Sequence, residues 1–203
     1  MKRRDFILNG LKLGAMLCSG IGISQLTDVL LNTESKAQAS ESMLYSSGLP
    51  IVQNYFSFTN LVQRQITNKI IVHHSAIERD ITAADVHRIH QQNGWSGIGY
   101  HMFIHANGLI ETGRPLACQG AHTYGYNEDS IGVCLNGNFD VQMPTQLQME
   151  SAEKLIGVLC KIYNLTPNNV TIFGHRDFNA TKCPGDNLYS QLDTIRTMAA
   201  KNM

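Results

Sequence analysis

Lys69-Ile70-Ile71-Val72-His73-His74 carries three β-branched residues in a row and ends on two imidazoles. β-Branched side chains favour extended backbone, and a short apolar run of this kind reads as a buried strand. Downstream of it, helix and strand signals alternate. Thr82-x-x-Asp85 is a capping box that opens a helix running to about Gln92, with Gly94 as its stop. Tyr100 to Ile104 reads as a strand, Asn107-Gly108 as a hairpin turn, and Leu109 to Glu111 as the return strand. Ser130 to Leu135 is a further strand. Thr145-x-x-Gln148 is a second capping box, and the helix behind it carries Ala152, Leu155, Ile156, Leu159, Ile162 and Tyr163 on one face. Val170 to Phe173 reads as a strand, and a last helix buries Leu188, Leu192 and Ile195. Such alternation predicts an α/β fold, a single domain with a central mixed sheet of about five strands flanked by about three helices.

The whole chain has 203 residues, 43% apolar and 16% charged, which suits one globular domain and is too apolar for a disordered chain. Sixteen basic residues balance sixteen acidic ones, so the basic excess of a nucleic-acid binder is missing. The N-terminus reads Met1-Lys2-Arg3-Arg4-Asp5-Phe6-Ile7, then a weakly apolar run to Ile23 broken by Asn9, Lys12 and several glycines. It falls short of the ~20 apolar residues of a membrane span. A basic start before an apolar run is the form of an export signal, and Arg3-Arg4-x-Phe6-Ile7 resembles the twin-arginine address. Ala37-Gln38-Ala39 supplies a small-x-small site, which places the cut after Ala39. The alternative is an uncleaved amphipathic or anchoring segment.

Residues 1–39 are thus read as an export signal, 40–66 as a lead-in segment without a clear period, and 67–203 as the domain that carries the chemistry. Removing 1–39 takes five basic and three acidic groups from a chain of formal charge zero and leaves a net −2. The mature chain is expected in the periplasm or outside a bacterial cell, with no stable membrane span.

Three segments carry metal-capable side chains. The first is His73-His74; strand side chains alternate, so only one of the two faces a given site. The second is Gly174-His175-Arg176-Asp177, just after a strand, and the third is Cys183-Pro184-Gly185. Two imidazoles and a thiolate suit zinc, and three protein ligands leave a fourth position open, as catalytic sites require. A lone strand histidine is more often packed than metal-bound, so the residues alone leave both readings standing. Cys134 and Cys160 read as small core residues, and Cys118 lies in a loop where partial exposure is expected. The spacing of these cysteines and Cys183 resembles no disulfide framework.

Several stretches, taken together and in order, resemble the zinc-dependent N-acetylmuramoyl-L-alanine amidases of the peptidoglycan recognition protein and amidase-type phage lysozyme family. They are Ile71-Val-His-His-Ser-Ala76, Gly99-Tyr-His-Met-Phe-Ile104 with Asn107-Gly108 and Gly113-Arg114, Gly120-Ala-His-Thr123 with Gly125-Tyr-Asn127, Ser130-Ile-Gly-Val133, and Gly174-His-Arg-Asp177 through Ala180-Thr-Lys-Cys-Pro-Gly185. The resemblance implies Zn2+ held by His73, His175 and Cys183, with His74 turned to the opposite face. It implies Tyr100 as a catalytic tyrosine and His122 in the substrate groove. Thr181 falls where the phage enzymes carry lysine and the recognition proteins threonine, and is expected as a second donor. The reaction implied is hydrolysis of the amide between N-acetylmuramic acid and L-alanine in peptidoglycan or muropeptides. Non-catalytic peptidoglycan-binding proteins of the same fold are the alternative; they typically lack the cysteine ligand, which this chain has. No stable protein partner or oligomeric state is readable.

Overall fold

The computed structural model describes residues 38–203. The expected export signal, save for Gln38 and Ala39, lies outside the described residues. The sheet has six strands: β1 (Ile51–Val52), β2 (Lys69–His74), β3 (Met102–Ile104), β4 (Ile110–Thr112), β5 (Ser130–Leu135) and β6 (Ile172–Gly174). Their spatial order is β1-β4-β3-β5-β2-β6. β2 sits between β5 and β6, parallel to both, and β3 is parallel to β5. Among the strand pairs of the described residues, only the β3–β4 hairpin is antiparallel. Its turn is Asn107-Gly108, where Gly108 takes a φ of +83° that a side chain would strain.

The α-helices that follow β1 are α1 (Ala83–Gln92), α2 (Gln146–Tyr163), the single turn α3 (Asp186–Tyr189) and α4 (Leu192–Lys201). Both expected capping boxes are formed: Thr82 with Asp85 opens α1, and Thr145 with Gln148 opens α2. Each such cap is worth about 1 kcal/mol.

Period-two alternation sorts the sheet into two faces. Ile70, Val72, Met102, Ile104, Ile131, Val133 and Leu135 pack against Leu155, Ile156 and Leu159 of α2 and Ile195 of α4. Phe103 and Cys134 face the other way, against Val86 of α1, Ile81 and Ile98. His73 pairs in register with Cys134, so it lies on the α1 face, and His74, the next residue, lies on the α2 face. There His74 Nδ1 accepts from Phe139 N at 3.2 Å.

Four details depart from the sequence reading. The strand expected at 170–173 begins two residues later. The Asn168 side chain accepts from Val170 N, and Thr171 Oγ1 donates to Thr166 O, so side chains close a turn there before pairing starts. The last helix is broken at Ser190-Gln191 into α3 and α4. A sixth strand, β1, comes from the lead-in, pairing Ile51 with Ile110, and residues 38–45 are helical, with Leu44 buried in the main core. Cys118 is buried rather than partly exposed, because the lead-in crosses it. Gln63 bridges to Cys118, and the Arg64 guanidinium donates to the carbonyls of Leu116, Cys118 and Ser130. All four described cysteines are free.

A buried ion cluster ties α1 to the hairpin. His105 lies between Asp80 (3.2 Å) and Glu111 (2.6 Å), and Glu111 also accepts from Ala83 N and Asn54 Nδ2. Burial alone raises the Glu111 carboxyl, but the donors of His105, Ala83 and Asn54 bring it down to about 2. Among the described residues, no helix is long and apolar enough to cross a membrane.

Candidate metal centre

β2 and β6 run side by side with Val72 opposite Gly174. The next residue on each strand is a histidine, so parallel pairing alone sets His73 beside His175, ring centroids 4.7 Å apart. After β6 the chain makes a tight turn at His175–Asp177, closed by Asp177 Oδ2 accepting from Gly174 N at 2.8 Å. The Cys183 loop folds back onto that turn, with Arg176 N donating to Cys183 O at 2.9 Å. His73 Nδ1 then lies 3.6 Å from Cys183 Sγ. Donor atoms of His73, His175 and Cys183 all lie within 4.8 Å of one another.

Zn–N of ~2.0–2.1 Å and Zn–S of ~2.3 Å at a tetrahedral angle require a nitrogen–sulfur edge of about 3.6 Å. The His73–Cys183 edge matches it, and the donor set fits zinc. The other ring nitrogens are already engaged. His73 Nε2 is 3.0 Å from His122 Nδ1, and His175 Nε2 is 3.1 Å from Asn179 Oδ1. The Asn179 oxygen can only accept, so His175 carries its proton on Nε2 and leaves Nδ1 bare. Burial holds His73 well below the usual imidazole range and lowers His175 as well, so both are neutral ligands at pH 7. Burial also pushes the Cys183 thiol up to about 12. A divalent cation offsets that penalty, and its binding releases the thiol proton.

Tyr100 joins the trio, its ring centroid 5.1 Å from that of His73. Burial, with the Cys134 and Cys183 thiols beside it, raises its phenol well above the usual value, so it is a proton-bearing donor rather than a base. Thr181 Oγ1 accepts from Cys183 N at 3.1 Å and keeps its own hydrogen free to donate. His122 is 8% exposed. Its ring meets that of His73 edge-on at a centroid distance of 4.9 Å, and it also lines a groove. That groove, about 720 Å³, is lined by His122 and His175 together with Asn60, Trp95, Arg114, Gln119, Thr123, Tyr124, Asn127 and Asn179. Among the described residues, no carboxylate lines it.

The family of N-acetylmuramoyl-L-alanine amidases matches residues 63–186. The chain belongs to this family. The endolysin of Enterobacteria phage K11 is 32% identical over 136 residues, covering 65% of this chain and 89% of the phage protein. The amidase LysC from Clostridium intestinale superposes with a TM-score of 0.65 at 36% identity, over 71% of this chain and 95% of LysC. The peptidoglycan recognition protein LCa–LCx ectodomain complex, solved with tracheal cytotoxin bound, gives a TM-score of 0.65 at 28% identity, over 71% of this chain and 95% of the matched chain. The chain is therefore an amidase acting on peptidoglycan.

The amidase uses its remaining histidines differently. Besides His74, three of them accept a backbone N–H at Nδ1: His87 from Ile98, His90 from Gly99 and His101 from Gly132, at 3.2, 3.0 and 3.0 Å. Burial lowers all three, and His90 falls to about 4. They are neutral acceptors that shape the loops around the site. Asn179 and Asn127 escaped the sequence reading as separate roles. Asn127 lay within a stretch that carried the resemblance, whereas Asn179, four residues after His175, gave no signal at all.

Proposed function

We propose that the amidase is a zinc-dependent hydrolase of the amide joining N-acetylmuramic acid to L-alanine, in peptidoglycan or in muropeptides. His73, His175 and Cys183 are the ligands. The observation that carries this reading is the convergence of two imidazoles and a thiol, from three separate segments, beside an open groove. When bound, zinc polarises the scissile carbonyl and lowers the pKa of water toward ~7. The chain's own groups do the rest. Tyr100 donates a hydrogen bond to the oxygen on which charge develops, and the Thr181 hydroxyl is a second donor. The leaving amine needs a proton. With no carboxylate in the groove, the Tyr100 phenol, directly or through water, is the nearest source. His122 is one of the residues lining the groove in which the substrate is held. The solved relative holding tracheal cytotoxin supports a muropeptide as the ligand of this groove.

The test is mass analysis of products from purified mature protein on defined muropeptides, with and without chelator. Free stem peptide beginning at L-alanine, absent under chelator, is expected. Tight binding without any product would turn the assignment to a non-catalytic binder, and chelator-resistant cleavage would remove the metal.

We also propose that residues 1–39 direct export through the twin-arginine route to the periplasm or beyond, with the ion loaded before transport because that route carries folded proteins. An Arg3-Arg4→Lys-Lys variant is expected to accumulate as uncleaved precursor in the cytoplasm. Normal export of that variant, followed by fractionation and immunoblot, would reject the route.

A further inference from the structure

We propose that the 120–127 loop, which forms one wall of the groove, is also the outer support of the metal centre, and that Asn127 is the residue positioning it. The inference rests on the zinc reading above and assigns work to residues that touch no metal. Both ligand imidazoles are held from behind through this one loop. His73 with its Nδ1 facing Cys183 carries its proton on Nε2, and the acceptor 3.0 Å away is His122 Nδ1. His122 is thereby the Nε2–H tautomer. That hydrogen faces Ser130 Oγ at 3.4 Å, and Ser130 in turn donates to Tyr126 O at 2.5 Å. On the other side, Asn179 Nδ2 donates to Tyr124 O at 3.3 Å while its Oδ1 accepts from His175. The Thr123 hydroxyl, from the same loop, completes the cluster at 3.0 Å from His122 Nδ1 and 3.4 Å from His73 Nε2.

The His122 ring is seated, not loose. A Cβ on Gly120 would lie 2.3 Å from its Cδ2, and one on Gly132 would lie 2.6 Å from the same atom. Two glycines thus make the slot that the ring fills. Alongside backbone bonds from Gly120 N to Asn127 O and from Tyr126 N to Thr123 O, one side-chain oxygen gathers the loop: Asn127 Oδ1 accepts from His122 N at 2.8 Å and from Thr123 N at 3.0 Å. Both supports reaching the imidazoles, an imidazole and a carboxamide, are uncharged. They fix tautomer and ring orientation without adding negative charge to the centre. Loss of an outer partner of this kind typically weakens metal affinity by roughly 10–100-fold.

Zinc affinity is to be measured by chelator competition on the full mature chain, with the thermal stability of the metal-free forms followed in parallel. Asn127→Ala is expected to bind zinc roughly 10–100-fold more weakly, with a lower metal-free melting temperature because the buried N–H groups of His122 and Thr123 lose their acceptor, and Asn127→Asp, which keeps the accepting oxygen, to recover most of both. Asn179→Ala frees only His175 and is expected to lie between Asn127→Ala and wild type. In 15N-imidazole spectra of the zinc-loaded wild type, His73 should show a protonated Nε2 in slow exchange with solvent, and Asn127→Ala should lose that protection. A wild-type chain that binds no zinc would overturn the metal reading itself. Wild-type affinity in both Asn127→Ala and Asn179→Ala, with zinc bound normally by the parent, would overturn the loop's role and leave the metal reading intact. Should Asn127→Ala fail to fold, Asn127→Ser takes its place with the same two measurements, and wild-type zinc affinity together with unchanged His73 protection in it would overturn the role given to Asn127.

Discussion

Cys183→Ser is expected to purify without zinc and without turnover. The serine hydroxyl is close in size to the thiol but stays protonated at neutral pH and makes a poor ligand, whereas the thiol is 3.6 Å from His73 Nδ1 and gives up its proton to a divalent ion. Loss of a ligand should exceed the roughly 10–100-fold that loss of an outer partner costs. The substitution also leaves a buried hydroxyl in the place of the thiol, so the metal-free variant needs a thermal melt beside it to show that it folds. Arg176 N bonds the carbonyl of residue 183, not its side chain, and Thr181 Oγ1 bonds its N–H; neither contact depends on sulfur. The fold is therefore expected to survive. Metal analysis by mass spectrometry and turnover on a muropeptide should fall together. A full equivalent of zinc in Cys183→Ser would remove the thiol from the ligand set, and activity in a zinc-free preparation would remove the metal from the reaction.

That prediction could be framed from the sequence because the residue types admit a metal and the family resemblance picks out His73, His175 and Cys183 among them. Lys69 to His74 reads as a strand, strand alternation splits His73 from His74, and His175 follows a strand signal, with Cys183 eight residues further on. The long elements were legible for the same reason: Thr82 with Asp85 and Thr145 with Gln148 mark helix starts, and Asn107-Gly108 marks a hairpin. β1 was not legible, since a two-residue edge strand has no period to detect and owes its existence to β4. Nor was the start of β6, where Asn168 and Thr171 side chains compete with the ladder for backbone groups. The uses of the eight histidines were the least legible. An imidazole that binds metal, one that steadies a ligand, and one that accepts a backbone N–H are the same letter. What separates them is the partner each ring nitrogen finds, from 4 residues away for His175 to 65 for His74. His122 shows the point. The resemblance casts it as a groove residue, and only the 3.0 Å approach of its Nδ1 to His73 shows a second contact.

Tyr100→Phe is expected to retain full zinc and to lose turnover by about 10²–10³-fold, the loss typical of one donor to a developing oxyanion. The ring would keep its place, because its packing against His73 and His90, at centroid distances of 5.1 and 5.6 Å, needs no hydroxyl. Only the O–H is removed. Burial raises the phenol, so the wild-type group holds its proton throughout neutral pH and acts as a donor there. An interaction made mainly in the transition state shows in kcat and in kcat/KM alike, with KM little changed. If Tyr100 also delivers the proton to the departing amine, the loss should be smaller on a substrate whose leaving amine is less basic, since that departure needs less protonation. Measuring kcat for both substrates in wild type and variant separates the two roles. An equal loss on both assigns Tyr100 to the oxyanion alone, and an unchanged kcat with full zinc would exclude it from the chemistry and leave Thr181 as the remaining donor.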